Sequence, residues 1–264
     1  MKYRKLYKIF LKSVVIATLF LGMKYWFHAK SWEILESSSL HNSVVSSAIF
    51  VMGFVMTVTL RDYKESERIP AEFASTVENL YEDAREIHRT YPSFDLSGFR
   101  NNLLRILQLF RAGTREKRKG TRREISELNQ TFGEMEKAGV PPNFVVKLKQ
   151  QQAQLSRCIY RVNYIQKIRF IPSAFVLVSS IAIIVSLTLL LTNIEPFMGS
   201  LILTGIIVYV LAYMVQLIQV ISTPFHASGA TYDDVSLFLI DETREYIEAR
   251  AISEIKSHTT KKKK

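Results

Sequence analysis

Six residues at spacings of three and four, Ser43, Ser47, Phe50, Phe54, Thr57 and Arg61, run along an apolar stretch that carries no charge until its end. On a helix turning about 100° per residue they fall within about 40° of one line, while Val44, Val45, Ile49, Met52, Val55, Met56 and Leu60 point elsewhere. The chemistry such a line offers is the passage of ions. Hydroxyls at one end, two phenyl rings a turn apart, then a hydroxyl and a guanidinium would make a wet vestibule, an apolar constriction that gates by dewetting, and a charged mouth. The same small hydroxyls also serve close packing between membrane helices, where they let backbones approach and bond across an interface. At the level of residue types both readings stay open, a pore face and a packing seam.

Other chemistries lack their signatures. There is no Gly-rich phosphate loop, no HExxH and no GxSxG, and the five histidines (His28, His41, His88, His226, His258) are scattered along the chain. No enzyme is expected. The single cysteine, Cys158, excludes an intrachain disulfide framework and a multi-cysteine metal site, and reads as a buried structural thiol. The densest basic tract, Arg115 to Arg123, reads as a solvated loop between helices, with anionic lipid or an acidic partner as its next use and no nucleic acid expected.

The elements that must position the stripe are membrane spans. At 264 residues, 48% apolar and 22% charged, with a mean hydropathy of +0.07, the chain mixes membrane and aqueous parts. Phe170 to Thr192 and Phe197 to Ile221 contain no charge and exceed the length needed to cross about 30 Å at about 1.5 Å per residue. Ser43 to Leu60 is charge-free and just long enough. Ile9 to Phe27 is interrupted by Lys12 and Lys24, which are expected to snorkel to the interfaces. Tyr25, Trp26 and Phe27 stand where a leader's small-residue cleavage site would lie, so this span is expected to be retained. Lys2, Arg4, Lys5 and Lys8, the 21 Lys and Arg against 14 Asp and Glu between Arg61 and Arg169, and Lys261 to Lys264 place both termini and the middle segment in the cytoplasm.

Helical spacing continues beyond the second span. Phe73, Val77, Leu80, Tyr81, Ala84 and Ile87 follow Pro70, which is read as a first-turn proline, and Tyr91-Pro92 ends the run. Leu96 to Phe110 predicts a second helix and Thr121, with Glu124 as capping box, a third that stops at Gly139. A fourth runs from Asn143 into the third span, with a kink expected at Pro172. After an irregular stretch from Ser222 to Thr231, Asp233 or Asp234 is expected to cap a helix whose apolar side is Val235, Phe238, Leu239, Tyr246 and Ile247. No strand is expected.

Phe50-Val51-Met52-Gly53-Phe54-Val55-Met56-Thr57, followed by Arg61-Asp62-Tyr63, resembles the second span of bestrophins and their prokaryotic relatives, in which a Phe-x-x-Gly-Phe segment forms the neck of a pentameric ion channel. The layout of four spans, a long helical segment between the second and third, and the pair Pro224-Phe225 after the fourth agrees. The residue-level match covers Ser46 to Tyr63 and Ser222 to Leu239. Two departures matter. The family's outermost bulky neck position falls on Ser46, which implies a shorter or wetter neck. Where calcium-activated members carry an acidic cluster, this chain has His226-Ala227-Ser228-Gly229-Ala230 before Asp233 and Asp234. Two carboxylates are few for a calcium ion that takes six to eight oxygens, so capping is the expected role of both aspartates and no cofactor is expected.

The fold expected is therefore all-α and polytopic, bestrophin-like and oligomeric around a central pore. Its parts are residues 1–60 with the first two spans, 61–169 as a cytoplasmic helical domain, 170–221 with the last two spans, and 222–264 as a C-terminal helix and basic tail. The resemblance implies a homo-pentamer in the cell membrane whose partners are lipid and small inorganic ions. Chloride is favoured because Arg61 sits at the inner mouth. The alternatives are a cation-conducting channel and a non-conducting scaffold that recruits a cytoplasmic partner or anionic lipid.

Overall fold

The computed structural model describes residues 8–112, 115–167, 172–222, 224–225 and 235–261. Eight helices account for most of them: α1 (Lys8–Ala29), α2 (Ser39–Thr90), α3 (Leu96–Arg111), α4 (Arg115–Lys137), α5 (Pro142–Lys167), α6 (Pro172–Leu191), α7 (Phe197–Ile221) and α8 (Phe238–Lys261). Two strands of two residues each, β1 (Leu35–Glu36) and β2 (Thr192–Asn193), pair in parallel, a feature no alternation in the sequence announced. The chain divides into two compact units, the first built from Met1–Lys64 and Ile168–Pro224, the second from Glu65–Lys167 and Val235–Lys264.

In the first unit, α1, the opening of α2, α6 and α7 are each long and apolar enough to cross a membrane. Phe20, Val45, Met52, Val178, Val185 and Leu211 form its core. Gly205 of α7 marks a close approach to α1, since a Cβ there would stand 3.0 Å from a Leu21 methyl and that side chain would have to give way. Gln216 spans the same pair of helices, donating from Nε2 to Ser13 Oγ at 2.8 Å. Lys24, expected to snorkel, is instead fully buried. Its ammonium meets the Glu33 carboxylate and donates to the carbonyls of Leu190 and Thr192, which spends its three N–H groups on three acceptors. The second Glu33 oxygen lies 2.7 Å from His28 Nδ1, and His28 stacks on Phe197 at 3.7 Å. Burial pushes the Glu33 carboxyl up, but the hydrogen bonds and charges of His28 and Lys24 outweigh it and leave it below the ordinary carboxylate value.

The second unit has its own core. Phe73 stacks on Phe110 at 4.1 Å, and Leu80, Tyr81, Leu103, Leu107, Leu128, Leu148 and Leu155 are fully buried. Pro70 lies inside α2 rather than in a first turn. The missing N–H and the ring clash cost about 3 kcal/mol, and the burial of Ile69, Phe73 and Val77 on either side, worth roughly 1.5–3 kcal/mol each, carries the helix through. The run does end at Thr90. Asp95 caps α3, its Oδ1 accepting from Gly98 N at 2.9 Å, and that backbone amide together with Ser97 holds the carboxyl below its usual range.

Three further expectations are corrected here. Helix α4 begins at Arg115, so the basic tract is helical rather than a loop, and Thr121 and Glu124 are buried mid-helix, with Glu124 paired to Arg105 at 3.0 Å instead of forming a capping box. Pro172 opens the described part of α6, and residues 168–171, on which the expected continuity with α5 and the kink at Pro172 depend, lie outside the described residues. Helix α8 starts at Phe238, after residues 235–237 without regular structure, so the residue immediately before its first turn is Leu237 and not an aspartate; Asp233 and Asp234 lie outside the described residues. Being the opening residue of that helix, Phe238 is exposed, and Ile240 is buried with Ile247 in its place. Gly139 ends α4 with φ +82°, as expected of a C-terminal glycine.

Candidate functional site: an open face on one membrane helix

Residues 43–61 form a continuous part of α2, and at about 1.5 Å per residue they span roughly 27 Å, close to the thickness of a hydrocarbon core. The helix is held on one side only. Val45, Ala48, Met52 and Thr59 are buried, Met52 completely. On the other side Ser43, Ser46, Ser47, Phe50, Phe54, Thr57 and Arg61 are all exposed, with Phe50 at 75% and Phe54 at 65%. A charge-free helix that keeps two phenylalanines out of its own protomer's core presents an unfilled face. Val44, Ile49 and Leu60, on its flanks, are exposed as well.

The polar members of this face are satisfied within the helix. Ser43 Oγ donates to Ser39 O at 2.8 Å and Thr57 Oγ1 to Gly53 O at 2.9 Å. Each keeps its hydroxyl oxygen as an outward acceptor, and neither needs a neighbouring helix to satisfy its proton. Gly53, between the two rings, has nothing within 4 Å of where a Cβ would stand, so the protomer's own packing does not demand glycine there.

Charges collect at one end. Arg61 is exposed, Glu65 is paired with Arg161, and Asp62, about 100° around the helix from Arg61, lines a cavity of ≈ 180 Å³ with Phe54, Thr59, Phe175 and Ser222. Ser46 is exposed beside the line through Phe50 and Phe54 and adds a hydroxyl where a third apolar ring would stand. Asp233 and Asp234 lie outside the described residues.

Elsewhere the acidic groups read as structure. Glu82 accepts from Arg85 and from Tyr246 of α8, Asp83 from Lys147 and Gln151 of α5, and Asp241 pairs with Arg111. No cluster of three or more His, Cys, Asp or Glu suited to a metal occurs among the described residues. Cys158 is buried, and burial pushes its thiol up to about 12, as fits an inert structural residue. What sequence reasoning missed is the Lys24–Glu33–His28 group. A lysine inside an apolar run was the signal, because a buried ammonium must find an acid, and Glu33 is the nearest acidic residue after it.

No family model and no curated protein matches the chain. Solved structures do. A bacterial bestrophin homolog from Klebsiella pneumoniae, in one of its variants, superposes with a TM-score of 0.71 at 11% identity, covering 93% of this chain and 98% of that one. A second crystal structure of the Klebsiella homolog gives 0.68 at 11% identity over 92% and 97%. A structure described as a membrane protein gives 0.68 at 10% identity over 90% and 96%. With four helices apolar enough to span and this likeness over nearly its whole length, the chain is a multi-pass membrane protein with the bestrophin fold.

Proposed function

We propose that copies of this chain assemble around an axis facing the Phe50–Phe54 side of α2 and conduct small inorganic ions through the lumen so formed. The observation that carries this reading is the exposure of Phe50 and Phe54 opposite a fully buried Met52. An apolar face of this length needs a partner, and a ring of identical faces supplies one by cyclic symmetry. Five copies are the number implied by the resemblance to bestrophins. Two phenyl rings about 6 Å apart along the axis form the neck, and Ser43, Ser46 and Ser47 on one side with Thr57 and Arg61 on the other form the wetter vestibules. Both termini and the second unit lie on the cytoplasmic side of the cell membrane, following the excess of Lys and Arg.

Chloride is the favoured ion. Arg61 is the exposed charge nearest the neck on the line, while Glu65, one turn further on, has Arg161 as partner and Asp62 lies off the line. A chain with this neck has no step requiring a bound cofactor, and ion movement through it involves no bond making. The test is ion flux from liposomes containing the purified protein. Phe50→Ala and Phe54→Ala are expected to raise flux by widening and wetting the neck. Unchanged flux together with loss of the oligomer would make the face a packing seam and the protein a scaffold.

A further inference from the structure

The stretch that joins α1 to α2 is built inside out. In water a connection turns its acids outward and covers its apolar side chains where it can; here Glu33 is turned in on Lys24, with 5% of its side chain exposed, while its neighbour Ile34 is 76% exposed. Trp32 and Leu35 beside it, and Leu40 at the opening of α2, are exposed as well. The backbone sets this arrangement. Ser31 adopts a left-handed φ of +56°, Ser31 N donates to His28 O at 3.0 Å and Trp32 N to Phe27 O at 3.0 Å, a pair of bonds that ends a helix by folding the following residue back on its last turn. Trp32 thereby meets Phe27 and Trp26 edge to face, with ring centroids at 5.4 and 5.0 Å.

We infer that this connection lies in the boundary layer of the bilayer, between headgroups and acyl chains, with Trp32 and Ile34 against phospholipid. Its place in the chain puts it at that level, because it leaves one apolar span at Phe27 and enters the next at Ser43. Its surface also continues that of the span: Leu11, Val15, Leu19 and Trp26 share one exposed side of α1, and Trp32, packed on Trp26, extends that side past the helix end. Lipid is chosen over water because water would take Glu33 outward rather than Ile34. It is chosen over a second copy of the chain because the apolar side runs on for the whole length of a span and closes in two half-exposed indoles, whose apolar body and polar N–H suit a layer that is dry on one side and wet on the other. The surface is separate from the Phe50–Phe54 face and does not depend on conduction.

Trp26 and Trp32 are the chain's two tryptophans, so its indole emission reports on this surface alone. The full-length protein is reconstituted in vesicles of phosphatidylcholine brominated either near the headgroup or near the methyl end of one acyl chain. Shallow bromine should remove well over half of the emission of the unaltered protein, a loss that neither ring could supply by itself, and deep bromine clearly less. Acrylamide added to the water should quench only weakly. Trp26→Phe leaves Trp32 as the single reporter and should show the same order of quenching, with size-exclusion chromatography showing that the variant is folded; the unaltered protein decides the matter if it is not. Trp32 emission indifferent to both bromines and strongly quenched by acrylamide would put the connection in water. Emission indifferent to bromine and acrylamide alike would bury it against another copy, and stronger quenching by deep than by shallow bromine would take it out of the boundary layer. Each of these three results would overturn the proposal.

Discussion

Stability and flux should come apart at the two phenylalanines, and the exposure values give the size of the separation. Truncating a fully packed Phe to Ala costs about 3–5 kcal/mol in lost contacts and cavity, so Phe50, 75% exposed, contributes only about 1 kcal/mol to its own protomer when that cost is scaled by the covered quarter. Phe54, 65% exposed, contributes about 1–2 kcal/mol on the same reckoning. Met52, on the opposite side and fully buried, should lose about 2–5 kcal/mol on truncation to Ala, because its removal leaves a cavity. The experiment compares thermal unfolding in detergent and liposome flux for Phe50→Ala, Phe54→Ala and Met52→Ala. The two Phe variants should unfold close to the unaltered protein and leak more, and Met52→Ala should be clearly destabilised with flux lost in proportion to folded protein. Were Phe50→Ala to cost as much as Met52→Ala, with the oligomer dissociating, the rings would be knobs buried between subunits and the pore reading would fail.

The stripe was legible in the sequence because it depends on helical periodicity in a charge-free run, and one period decides which residues share a side. The spans were legible for a related reason, as Phe197 to Ile221 illustrates: no charged group interrupts it, and Pro196 fixes where it can begin. What escaped were choices made by distant partners. Lys24 reads as a residue that must reach water, yet the carbonyls of Leu190 and Thr192, more than 160 positions away, and Glu33 satisfy it where it stands. Thr121-x-x-Glu124 has the letters of a capping box, but Arg105 on a neighbouring helix gives Glu124 a better partner than a backbone N–H that the helix already uses. Pro70 looks like a beginning because the proline ring forbids one hydrogen bond, and nothing local tells that the apolar side chains around it will be buried deeply enough to offset that loss. In the same way Asp95 gave no signal from hydrophobic period, although Asp-x-x-Gly before an apolar run is a capping pattern that could have been recognised.

Replacement of Glu33 by Gln should cost about 3–5 kcal/mol, since it strands the Lys24 ammonium among carbonyls, and thermal unfolding in detergent measures it. Because the folded-state value of the Glu33 carboxyl is depressed, its contribution is fully present above the ordinary carboxylate value of 4.5 and is lost as pH falls through the lower folded value; the unaltered protein should lose stability in that window and Glu33→Gln should not. Cys158, with its thiol pushed up to about 12, should resist a thiol reagent at neutral pH in folded protein and react at once on denaturation. Arg61→Glu should move the reversal potential in the direction of cation permeation. Phenyl rings offer no fixed dipole to replace an ion's hydration shell, so discrimination must come from charges at the mouth, and Arg61 is the exposed charge on the line nearest the neck. The shift should be larger at low salt, where the Debye length of about 30 Å at 0.01 M exceeds any lumen of this length, than at 1 M, where it is about 3 Å. A reversal potential indifferent to the substitution at both salt concentrations would place Arg61 away from the ions' path, and the preference for chloride would lose its local support.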